Sequence, residues 1–138
     1  MLMNNLSIIM RHSRTFCERK LREYDIGFPE QVILMYLSRN NNVSQEDIAK
    51  YFMIDKGAIA KSLSKLESKD FVIRKENPYD KRGKLILLSP KGEHIISHMG
   101  TILDEWNQYF FMGLSIDEIE QFDRISKIMA DNVANISE

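Results

Sequence analysis

Lys81 and Arg82 lie inside the stretch FVIRKENPYDKRGKLILL, residues 71–88, with Asp80 just before them and Arg74, Lys75 and Lys84 on the flanks. Fixed cations gathered in so short a run suit one chemistry above others, the binding of a polyphosphate. A second set follows helical spacing. Lys56, Lys61 and Lys65, with Gly57, Ala58, Ala60 and Ser64 between them, share one side of a segment whose other side is Ile59, Leu63 and Leu66. Lysine reaches guanine or phosphate, alanine can touch a thymine methyl, and neither glycine nor alanine can hydrogen-bond a base edge by side chain. Ser44, at the start of the preceding helix, completes the candidate DNA contacts.

Other chemistries are weaker. His94 and His98 stand four apart beside Glu93, but a third ligand such as His12 is remote in sequence, so no metal site is expected. The single Cys17 rules out an internal disulfide and fits a reducing cytosol. It falls on an apolar helical stripe, where a structural thiol is the ordinary case. The eight methionines suit an adaptable core. There is no Ser-His-Asp arrangement, no phosphate-cradling glycine loop and no paired acid suited to proton transfer, so neither an enzyme nor a cofactor is expected. The N-terminal MLMNNLSIIMRHSR has no apolar run of signal-peptide length and no segment approaches a membrane span, so a cytoplasmic protein is expected.

Net charge is −1 over 138 residues, and that value hides an asymmetry. Lys50–Lys91 holds eleven Lys and Arg against five Asp and Glu, a net of +6, and the remainder is −7. A basic middle between acidic ends points to a localised anionic partner. With 43% hydrophobic and 28% charged residues the chain is expected to fold as one globular domain.

The elements that must position these residues can be read in order. Apolar spacing of three and four predicts a helix from about Asn4 to Tyr24, ended by Asp25-Ile26-Gly27. Pro29 opens a second, apolar on most faces, to about Ser38, and residues 39–42 form a polar loop. Ser44 caps a short helix to about Phe52. Asp55 caps the next, Lys56 to about Lys69, and the pair reads as a helix-turn-helix. Phe71–Glu76 and Lys84–Leu88 are β-like, and the seven residues between them should project as a tip. Ser89-Pro90 restarts helix to about Met112, roughly 33 Å long. Gly113 stops it, and Ser115 with Glu118 caps a last helix carrying Ile116, Ile119, Phe122, Ile125, Met129 and Val133 on one stripe. The terminal helices carry more apolar surface than a small winged helix can cover, which favours a two-fold dimer.

This order resembles the MarR family of transcriptional regulators. The resemblance spans essentially the whole chain and rests on Leu66-Glu67 with the strand ending at Arg74, on Asp80-Lys81-Arg82, and on Leu85–Gly92 entering the next helix. It implies a mainly α fold with a small β-hairpin, a winged helix-turn-helix core (29–89) flanked by dimerisation helices (1–28 and 90–138). It implies a homodimer on a palindromic double-stranded operator, with the 56–69 helix in the major groove and the 77–83 wing in the minor groove. Arg82 matches the wing arginine that enters the minor groove, and Asp80 the acid that orients it. A repressor released by a small aromatic or phenolic ligand, bound between dimer helices and DNA-binding lobe, would be typical. The chain departs from the family where Ser or Thr often stand, at Gly57, Ala58 and Ala60. Family thiol sensors place their cysteine near the start of the first helix, unlike Cys17. The alternative is a winged helix that binds an acidic protein and no specific DNA.

Overall fold

The computed structural model describes residues 1–136. Six α-helices and three strands follow one another: α1 Leu2–Lys20, α2 Phe28–Arg39, β1 Val43–Ser44, α3 Gln45–Phe52, α4 Lys56–Ser68, β2 Val72–Glu76, β3 Lys84–Leu88, α5 Pro90–Phe110 and α6 Ile116–Ala134. They form two compact units, Met1–Leu103 and the part from Asp104 onward.

In the first unit, the apolar faces of α2, α3 and α4 meet those of β2, β3 and the first turns of α5. Ile33, Leu34, Ile48, Leu63, Leu66, Phe71, Ile86 and Ile95 are buried there. The mainly α fold with a small antiparallel sheet is the architecture expected. The sheet has one more strand than the sequence suggested. Its order is β1-β3-β2, with Val43 opposite Ile86 and Arg74 opposite Ile86 from the other side. Two residues are too few to display alternation, and β1 exists because Val43 is buried against β3.

Helix boundaries follow local chemistry. Ser44 and Asp47 form a reciprocal capping box at α3, and Asp55 caps α4. α1 stops at Lys20, short of the expected Tyr24, and a single 3-10 turn covers Arg22–Tyr24. Asp25 then takes a left-handed conformation, φ 49°, held by Lys69 Nζ, which donates to its carbonyl at 2.8 Å and to Oδ2 at 2.6 Å. Ser89 donates to the Asp70 carbonyl and accepts the Gly92 amide, tying the start of α5 to the α4–β2 turn. A Cβ on Gly92 would run into the Phe71 carbonyl, so this helix start needs glycine for close approach.

In the second unit, Trp106 stacks on Phe110 and Phe122 packs edge-on against Phe110 and Phe111. Gly113 supplies the left-handed turn, φ +87°, and Ser115 with Glu118 caps α6. No residue of α6 is buried in the single chain, and Phe122, Ile125, Met129 and Val133 are exposed along it.

Candidate nucleic-acid interface

The wing tip is built to project. Asn77 Oδ1 accepts the Tyr79 amide at 3.0 Å, closing an Asx turn, and Tyr79 stands in solvent. Asp80 Oδ1 accepts the Arg82 amide at 3.0 Å and lies 3.5 Å from Arg82 Nε. One carboxylate thus sets both the backbone turn and the root of the guanidinium, while the Arg82 side chain is 93% exposed. Lys75, Lys81 and Lys84 are also exposed.

Arg74 behaves differently from its cationic neighbours. Its Nε donates to Glu67 Oε2 on α4 at 2.9 Å and its Nη1 to Gln45 Oε1 on α3 at 3.2 Å. With only 24% of the side chain exposed, this guanidinium joins the wing to both helices of the helix-turn-helix. Gln45 and Glu67 had no place among the sequence candidates. Their pairing with Arg74 crosses 29 and 7 residues respectively, and no local spacing announces it.

Along α4, Lys56, Gly57, Ala58, Lys61 and Ser64 are exposed, and Ala60 and Lys65 are half-buried beside Ile59 and Leu66. Lys56 Nζ is 3.2 Å from Glu46 Oε1, an exposed pair between the two helices. Ser44 is engaged in its own cap, donating to Asp47 Oδ2 at 2.7 Å and accepting the Asp47 amide at 3.1 Å. The backbone amide and hydroxyl of Ser44, in that order, hold the Asp47 carboxyl below its ordinary range. The wing and the starts of α3 and α4 enclose a polar groove of about 890 Å³, lined by Ser44, Gln45, Lys56, Arg74, Asp80, Arg82 and Lys84 among others. Lys56, Arg74, Arg82 and Lys84 therefore line one polar groove together with the carboxylates of Glu46, Asp47 and Asp80, and charged walls of this kind suit a polar partner better than a small apolar molecule.

Outside this face, a second groove of about 600 Å³ runs between α2 and α4, with Phe28, Val32, Phe52, Ile54 and Ile59 as walls and Lys61 and Lys65 at its edge. His94 is exposed, and the His98 ring lies against Tyr24 at 5.6 Å. Among the described residues no three His, Cys, Asp or Glu gather as a metal site. Burial, then the nearby Glu18 charge, pushes the Cys17 thiol up, away from the thiolate. No helix among the described residues is long and apolar enough to cross a membrane.

Known proteins with this arrangement are consistent with one another. Residues 24–83 match a family model described as MarR family. The HTH-type transcriptional regulator BilQ of Clostridioides difficile (strain CD3) is 23% identical over 123 residues, 89% of this chain and 83% of that protein. The crystal structure of a MarR transcriptional regulator from Methanosarcina mazei Go1 superposes with a TM-score of 0.91 at 26% identity, covering 99% of this chain and 98% of that one. The crystal structure of MarR gives 0.85 at 27% identity, with 98% of each chain covered.

Proposed function

We propose, from the match of residues 24–83 to the MarR family model and from the fold shared with MarR regulators, that this chain is a MarR-type winged helix-turn-helix protein and not an enzyme, acting as a homodimeric, sequence-specific regulator on a palindromic operator. Helix α4 enters the major groove and the wing enters the neighbouring minor groove. The observation that carries this reading is the exposed Arg82 guanidinium, braced at its root by Asp80. The narrow minor groove concentrates negative potential, and a side chain held before binding loses less entropy on entering it.

Exposed Phe122, Ile125, Met129 and Val133 on α6, and Leu2, Met3, Ile8 and Met10 on α1, supply apolar surface for the second copy. A two-fold dimer presents two reading helices about 34–36 Å apart, one turn of duplex. The protein acts as a cytoplasmic repressor. A small aromatic or phenolic ligand bound between the dimer helices and the DNA-binding lobe would release the operator. Replacing Arg82 by Ala tests the reading. DNA affinity should fall about tenfold at moderate salt, with the dimer unchanged by light scattering. Unchanged affinity would remove the wing from the interface.

A further inference from the structure

The C-terminal end of α4 is tied to two other segments, and both ties pass through Lys69. Its ammonium donates to the Asp25 carbonyl at 2.8 Å and to Asp25 Oδ2 at 2.6 Å, clasping the turn that follows α1. Its own carbonyl accepts Lys91 Nζ, from the first turn of α5, at 2.8 Å. Only 25% of the Lys69 side chain is exposed, and it does not line the polar groove between wing and helices. Unlike the other cations of this basic stretch that lie on α4, Lys69 is spent on a link 44 residues long in sequence.

Packing repeats the same three-way connection. Tyr24, next to Asp25, meets the buried Phe71 edge-on at 6.5 Å and lies 5.6 Å from the His98 ring on α5. Lys91 Nζ stands 4.7 Å over the Phe71 ring. Leu21 and Ile26, on either side of the turn, are buried. Apolar contact is non-directional and lets one element slide over another. A cation held by a carbonyl and a carboxylate oxygen fixes distance and direction. α1 carries part of the apolar surface offered to a second copy, and α5 runs on to α6, which carries more.

We propose that Lys69 is a positioning residue, which locks α4 to the turn after α1 and thereby sets the separation of the two reading helices in the dimer. The inference rests on the dimeric, DNA-binding reading set out above. Lys69 touches no DNA, yet it controls which half-site spacing the protein accepts. One added base pair moves a half-site by about 3.4 Å and turns it by about 35°, a change that a rigid link resists and a loose one follows.

The test takes palindromic duplexes enriched from a randomised pool by the full chain, each remade with one base pair added or removed at the centre. The wild type should bind the altered spacings about thirtyfold less tightly than the enriched one. Lys69→Met keeps the aliphatic stem, loses the ammonium, and should narrow that gap to about threefold, because a looser link adapts to each spacing. Asp25→Asn keeps the left-handed turn, which asparagine tolerates, and removes the charge. It should narrow the gap part-way, and Lys69→Arg, which retains the donor and the charge, should keep the wild-type gap. A tie that serves stability alone would lower the urea midpoint and leave the ratio between spacings untouched. That result in both Lys69→Met and Asp25→Asn would overturn the proposal, as would a wild type that binds every spacing equally. A wild type that binds no duplex would overturn the DNA reading itself.

Discussion

Two arginines eight residues apart in one hairpin do opposite work. Arg82 extends into solvent with its root beside Asp80, and Arg74 is committed to Glu67 and Gln45. Arg74→Ala should cost about 1–2 kcal/mol of folding stability, since it removes the hydrogen bonds to Glu67 and Gln45 and loosens the wing from the helices. Arg82→Ala should leave the urea midpoint unmoved. Equal midpoints for the two variants would contradict this division. Sequence could find both cations but could not separate them, because the partners of Arg74 belong to other elements. A pH effect follows from Asp47. Its folded carboxyl is depressed by its Ser44 hydrogen bonds, so its contribution is present above the unfolded value of about 3.9 and is lost as pH falls through the lower folded value. Asp47→Asn should therefore lower stability at pH 7 and narrow the drop between pH 5 and pH 3, read from urea midpoints at each pH. A variant with the same acid limb as the wild type would contradict that assignment.

At the scale of elements, what the sequence could show was whatever local chemistry decides. Ser44 with Asp47 and Ser115 with Glu118 announce helix starts by spacing alone, and both boxes form. Asp55 and Pro90 mark α4 and α5 equally well. The misses are tertiary. β1 is created by burial of Val43 against β3, and the left-handed Asp25 that follows the 3-10 turn is held by Lys69, 44 residues away. Gly92 belongs with these, since only the fold brings the Phe71 carbonyl to it. Gly92→Ala should cost about 1–3 kcal/mol, because the added carbon forces α5 away from the α4–β2 turn. A thermal melt within a degree of wild type would show that the contact relaxes freely. Met53 ends α3 in the left-handed region, φ 52°, without the glycine that position favours. Met53→Gly should therefore be neutral or stabilising by up to about 1 kcal/mol, measured by the same melt.

For the whole molecule, the proposed dimer on DNA would give the apolar stripe of α6 and the charged, polar groove of the first unit one purpose. The charge asymmetry of +6 in Lys50–Lys91 already separated the two surfaces in the sequence. Which of its cations are paired, as Arg74 is with Glu67 and Gln45, depends on the fold and not on local spacing. The direct measurement is a salt titration of binding to palindromic duplexes, beside scrambled duplexes of equal length. Binding should be tightest at low salt, with log affinity falling linearly against log salt and a slope of several phosphate contacts. The palindrome should stay tighter than the scramble across the range, and Arg82→Ala should reduce the slope by about one. No duplex binding even at the lowest salt, where phosphate contacts are strongest, would contradict the account.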